Sequence, residues 1–171
     1  ICLSHTKYGD NMVIIDSSTL ISFAKIRKLE ILRLLKTKIT TINDVYEECV
    51  EKGINLGHYD AIEIKQIFDE KTISIEDIRY HKKFLGISRI DSKVLSCAKE
   101  KKDYLFVDDV KLGRRAKAEN IEVRNTPDIL LHLMKTSRIT KKDFRESLQK
   151  LVHNKRLSEK AKKAYEMAGG L

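Results

Sequence analysis

The chain has 171 residues, which suits one domain with a proper hydrophobic core and is short for several. Hydrophobic residues make up 42%, and no apolar run approaches the ~20 residues of a membrane span, so a membrane-embedded role is excluded. The net charge of +9 is concentrated late, with 11 Lys/Arg against 4 Asp/Glu from Leu130 to Leu171, a balance that suits a polyanion such as RNA or DNA better than an acidic partner.

The first eleven residues lack a basic start followed by an apolar stretch, so no secretory signal is expected, and they are set apart as a native extension or a cloning remnant. The fold reading begins at Met12–Asp16, a short strand. Ser17–Leu35 is helical with a break near Arg27-Lys28, and Lys38–Thr41 is a second strand. A helix runs from Asn43 to Lys52 with Gly53 as its C-cap, and Asn55–Gly57 turns the chain. His58–Glu70 carries Ala61, Ile62, Ile64, Ile67 and Phe68 at mostly helical spacing, and Thr72–Ile75 is the next strand. Past a loop at Gly86 come a helix over Ser88–Lys101, a strand over Tyr104–Val107, a helix over Lys111–Glu119 and a strand over Ile121–Val123. Pro127 fits the first turn of a helix over Asp128–Thr136. Thr140 and Asp143 form a capping box for a helix to Val152, and Ser158 caps a last helix ending before Gly169-Gly170.

Strands alternating with helices imply parallel pairing through right-handed crossovers, hence a three-layer α/β/α sandwich. The expected organisation is a sheet domain over 12–136 followed by a basic helical extension over 137–171. Three cysteines, Cys2, Cys49 and Cys97, give an odd count without metal-ligand spacing, which points to a reducing, cytoplasmic setting. The five histidines form no cluster of ligand spacing.

Acidic residues carry the chemistry. Asp16 ends the apolar run of VIIDSSTLI, and Asp108-Asp109 ends that of YLFVDD. Both positions fall at the carboxyl edge of a parallel sheet, where open α/β sheets build their sites. Each alone reads equally well as a helix N-cap. Asp91 shares a helix flank with Leu95 and Ala98, beside the apolar stripe, where a carboxylate is costly without a partner. Glu47 and Glu48 lie equally far from the apolar centre of their helix, so periodicity does not choose between them. Carboxylates gathered at one point are ordinarily reconciled by a hard divalent cation, Mg²⁺ or Mn²⁺.

In order, VIIDSSTLI, TTINDVYEECV, GISRIDSKVLSCAKE and YLFVDDVKLGRRA resemble the PIN-domain nuclease family, in particular the branch whose last acid stands on an Asp-Asp pair followed by basic residues. The likeness runs from Met12 to about Thr136. It implies an acidic quartet of Asp16, Glu48, Asp91 and Asp109 around Mg²⁺ or Mn²⁺, with Ser18 as a supporting hydroxyl and Asp108 as an auxiliary acid or a cap. Val107 stands where the family often has a hydroxyl residue. The activity implied is metal-dependent hydrolysis of single-stranded RNA, with Lys111, Arg114 and Arg115 placed to meet phosphate. Family members of this size are often toxins held by a small antitoxin-like protein, and a homodimer is the implied assembly. Two other readings compete. A receiver-like phosphoacceptor would need its acidic pair on the first strand and a Lys after the last; this chain has the pair late and Val123-Arg124-Asn125 there. A non-catalytic RNA- or protein-binding scaffold would have no need of all the acids.

Overall fold

The computed structural model describes residues 12–78, 81–101 and 104–171; the expected N-terminal extension, 1–11, lies outside them. Five strands, β1 (Met12–Ile15), β2 (Lys38–Ile42), β3 (Ile73–Glu76), β4 (Tyr104–Phe106) and β5 (Val123–Arg124), form one parallel sheet in the order β3-β2-β1-β4-β5. Val13, Ile14 and Ile15 on the central strand have no exposed surface, as a parallel strand covered on both faces requires. The order in which the chain adds strands reverses between β1 and β4, which run parallel with Val13, Ile14 and Ile15 paired to Tyr104, Leu105 and Phe106. The architecture is the expected α/β/α sandwich.

Helix α1 (Ser17–Lys25) follows β1 and stops where Arg27 takes a positive φ of 55°. The chain then makes a 3₁₀ segment, Leu29–Leu35, in place of the α-helix expected there. After β2 the expected helix forms but is neither regular nor closed where the sequence suggested. It begins as α2 (Asn43–Tyr46), widens to a π-helical stretch over Glu47–Lys52 and continues as α3 (Gly53–Asn55). Gly53 is therefore no C-cap: its φ of −60° is helical. Its role is steric, because an added Cβ would stand 2.7 Å from the Ala61 Cβ on α4 (Tyr59–Asp69).

Helices α5 (Arg89–Lys101), α6 (Val110–Ala118) and α7 (Thr126–Lys135) follow in turn. The last strand begins two residues later than expected and ends one later, because Asn120 at φ 61° turns the chain and leaves buried Ile121 ahead of the ladder. Asn125 and Asp128 close a capping box on α7, and Thr140 and Asp143 close one on α8 (Lys141–His153). Phe144, Leu148 and Leu151 on α8 are completely buried and join the same core as the sheet. The final helix, α9 (Glu159–Ala168), is capped by Ser158 and has none of its own residues buried.

Replacing Gly53 with Ala is expected to lower stability. The helix gains up to ~1 kcal/mol in propensity, but crowding Ala61 costs about 1–3 kcal/mol. Urea unfolding checks this, and adding Ala61→Gly to the same protein should restore most of the loss.

Candidate active site

Two strand-end acids flank the reversal in the sheet, the place where open α/β folds leave a crevice. Asp16 follows β1, and its backbone N–H extends the ladder by donating to the Phe106 carbonyl at 2.9 Å. Asp108 and Asp109 follow β4 by two and three residues. Ser18 ties the two strand ends together. Its hydroxyl donates to Asp16 Oδ2 at 2.6 Å and accepts from the backbone N–H of Asp108 at 3.0 Å and of Asp109 at 3.2 Å. The Ser18 backbone N–H also donates to Asp16 Oδ2, at 3.0 Å, so Asp16 is at once the N-cap of α1 and the acid of the crevice.

Asp16 is only 3% exposed, and its Oδ1 is buried without a hydrogen-bond partner among the described residues. Burial is the main reason its pKa is pushed up to about 6; the charge of Asp91 adds to the rise, against the lowering effect of Ser18. Asp91 is thus within electrostatic range of Asp16. Asp91 stands in the first turn of α5, in a reciprocal cap with Ser88: its Oδ2 accepts from Ser88 N–H at 3.1 Å, and its N–H donates to Ser88 Oγ at 3.0 Å.

The glutamates separate. Glu47 accepts from the Asn43 side-chain amide at 2.5 Å, a local bond along its own helix. Glu48 is exposed, and its neighbour Cys49 feels the charges of both Glu48 and Asp16 on top of the burial that raises its thiol pKa. Lys93 spans from α5 to Asp44 on α2, at 2.6 and 2.7 Å, and clamps the helix bearing Asp91 to the one bearing Glu48. No sequence pattern signals that pair.

The late acids separate as well. Both oxygens of Asp108 are occupied by Thr126, one by its N–H at 2.7 Å and one by its hydroxyl at 2.8 Å, so Asp108 anchors the start of α7. Asp109 caps α6 through Oδ1, which accepts from Leu112 N–H at 2.7 Å. Of the three bases behind it, Lys111 and Arg114 are exposed. Arg115 is half-buried, with its guanidinium 5.2 Å from the Phe84 ring centre and paired to Glu119 at 2.7 Å. Thr126, Asp128 and Tyr165, which hold the Asp108 side of the site, were not singled out from sequence; the Asn125-to-Asp128 capping spacing was the available signal.

An all-carboxylate donor set suits a hard divalent cation, and the unpartnered, buried Asp16 oxygen is the atom such an ion would satisfy. Among the described residues, no three His, Cys, Asp or Glu side chains stand close enough to hold an ion unaided. Among the described residues, the acids of the expected quartet are therefore not gathered at one point.

A family model described as a PIN domain matches residues 12–165. A PilT N-terminus domain protein from the hyperthermophilic archaeon Sulfolobus solfataricus shares the fold: it is 13% identical, with 71% of this chain and 92% of that one covered and a TM-score of 0.52. A domain of a functionally unknown protein from Methanocaldococcus jannaschii is 25% identical, with 67% and 90% covered and a TM-score of 0.50. No curated protein matches the sequence.

The raised pKa of Asp16 has a consequence for stability. As pH rises from about 4 to 6, the unfolded chain gives up this proton before the folded one does, so folding loses stability until both forms are ionised. Asp16→Asn keeps the capping oxygen and cannot titrate. Between pH 4 and pH 7 its stability should gain on the wild type by on the order of 2–3 kcal/mol, measured by urea unfolding. An unchanging difference across that range would contradict the burial of this charge.

Proposed function

The chain belongs to the PIN-domain family, whose members are generally nucleases, and from that premise we propose that it is a metal-dependent ribonuclease that hydrolyses phosphodiester bonds in single-stranded RNA. The observation that carries the proposal is the Ser18 hydroxyl, which ties the buried acid after β1 to the acid pair after β4 at the reversal of the sheet. In this reading Asp16, Glu48, Asp91 and Asp109 hold Mg²⁺ or Mn²⁺, and Asp108 positions its neighbour. The ion, when bound, supplies activated water at neutral pH and neutralises charge on the phosphate.

The side chains have correspondingly modest tasks. Asp16 keeps one oxygen on Ser18 and presents the other, unpartnered, towards the ion. Asp109 keeps one oxygen on the start of α6, which fixes its carboxylate relative to the turn. No residue is required as a nucleophile. Lys111 and Arg114, one turn along from Asp109, meet the phosphate backbone, whereas Arg115 is held by Phe84 and Glu119 and serves the packing of α6. The basic composition supports a polyanionic substrate. The proposal extends to a toxin-like role in the cytoplasm, with the chain as a homodimer restrained by a small antitoxin-like protein. No helix among the described residues is long and apolar enough to cross a membrane.

Purified protein should cleave single-stranded RNA with Mg²⁺ or Mn²⁺, leave 5′-phosphate ends and stop in excess EDTA. Asp16→Asn should lose at least about a hundredfold in rate while remaining folded, because an amide supplies neither the charge nor the ligand strength of a carboxylate. Cleavage that survives EDTA, or that is undiminished in Asp16→Asn, would defeat the proposal. RNA binding by folded protein without any cleavage would identify a scaffold instead.

A further inference from the structure

The final helix is an odd attachment. Amphipathic helices are normally held by an apolar face, yet α9 buries none of its ten residues, and only Tyr165 packs part of its ring against the core. Besides the Lys162 ammonium, which donates to the Gln149 side-chain oxygen on α8 at 2.5 Å, it is held at two points. Just past its C-terminus the backbone approaches α7 and α8 so closely that a Cβ on Gly169 would stand 3.0 Å from the Phe144 ring and 3.1 Å from the Met134 methyl. Lys141 adds a bond to the Gly170 carbonyl at 3.0 Å. The other hold is the Tyr165 hydroxyl, which donates to Asp128 Oδ1 at 2.7 Å with Asn125 Oδ1 sharing the proton at 3.1 Å.

Those two acceptors form the capping box of α7. Asp128 N–H donates to Asn125 Oδ1 at 2.8 Å, and Asn125 N–H donates to Asp128 Oδ2 at 3.2 Å. Between them stands Thr126, whose N–H and hydroxyl occupy both oxygens of Asp108. The Asp108 and Asp109 N–H groups in turn rest on Ser18 Oγ, and Ser18 holds Asp16. Hydrogen bonds, joined by the backbone from Asn125 to Thr126 and through Asp108 itself, therefore lead from the last described helix to Asp16. Tyr165 also feels the charge of Asp108 directly.

We propose that Tyr165 is a positioning residue: by fastening the N-terminus of α7, it fixes the Asp108–Asp109 turn on Ser18, and so sets the place of Asp109 relative to Asp16. This rests on the nuclease reading for its meaning, because the acids so placed are the ones assigned to the ion. The physical arrangement itself is independent of that reading. A tyrosine that merely completed a helix cap would steady α7 alone. A positioning tyrosine must also steady the turn after β4, two hydrogen bonds further on.

Backbone amide exchange followed by NMR in metal-free protein separates these roles. Tyr165→Phe keeps the ring and removes only the hydroxyl. The Asp108, Asp109 and Thr126 amides should then exchange faster, on the order of tenfold, the effect of one lost hydrogen bond to a charged acceptor. Ile14 and Leu105 in the central strands should keep their wild-type rates. Met167→Ser, at a position on the same helix that is 78% exposed, should leave all of these amides unchanged. Acceleration confined to residues 126–129, unchanged Asp108 and Asp109 amides, or an equal effect of Met167→Ser would each overturn the proposal. Exchange is read without metal or RNA, so this outcome stands whether or not the wild-type protein cleaves RNA; absence of cleavage would count against the nuclease reading alone.

Discussion

Asp16 is a carboxylate placed where water hardly reaches, at the end of the central strand of the sheet, and much of the surrounding structure exists to keep it there. Its Oδ2 holds the first turn of α1 and the Ser18 hydroxyl, while its Oδ1 has no donor among the described residues. Burying a charge in this way is costly unless a counter-charge arrives. The fold tolerates it because the core beneath is extensive and tightly connected: Val13, Ile14, Ile15, Leu105 and Phe106 lie directly under the crevice and are almost wholly excluded from solvent. In the proposed reading, a cation held at Asp16 Oδ1 would offset that cost and add to stability by mass action.

Around that acid the protein assembles its crevice from elements distant in sequence. Parallel β1 and β4 bring Asp16 and Asp109 to the same edge, since every strand of a parallel sheet ends there. The helices after β2 and before β4 bear Glu48 and Asp91, which the proposed function adds to the site, and the Lys93–Asp44 pair keeps those helices together. Both partners of that pair are largely shielded, so it is screened less than a surface pair would be. The π-helical stretch over Glu47–Lys52 falls at the glutamate position; such widened turns are frequent at functional sites because they re-aim side chains. The crevice is acidic in a chain of net charge +9. In the proposed reading, a polyanion would be attracted by the protein as a whole and would meet carboxylates only at the point where a cation would stand between them.

The sequence disclosed the layers, the parallel sheet and the caps at Thr140, Asp143 and Ser158, because each has a local physical signature: apolar runs of strand length, or a hydroxyl with an acid in the helical turn behind it. It was silent where a residue answers to a distant neighbour. Gly53 looks like a helix stop in one dimension, and only the approach of Ala61 reveals it as a steric necessity. Periodicity could not choose between Glu47 and Glu48, whereas in three dimensions Glu47 is tied to Asn43 and Glu48 is left exposed. Likewise Asp108 and Asp109 are indistinguishable as an adjacent pair until Thr126, 18 residues away, occupies both oxygens of the first. Arg115 reads as one more base beside two others, and only the Phe84 ring shows that it is committed to packing.

The central claim is that these carboxylates, with Asp16 at their centre, take up one divalent cation or two. Anomalous diffraction from crystals soaked in Mn²⁺ tests it most directly. The account predicts a strong peak at the reversal of the sheet between β1 and β4, about 2.0–2.3 Å from Asp16 Oδ1 and shared with at least one of Asp91, Asp109 and Glu48. Mn²⁺ found only at outlying acids such as Glu51 or Glu63, with the Asp16 oxygen still unpartnered, would contradict it.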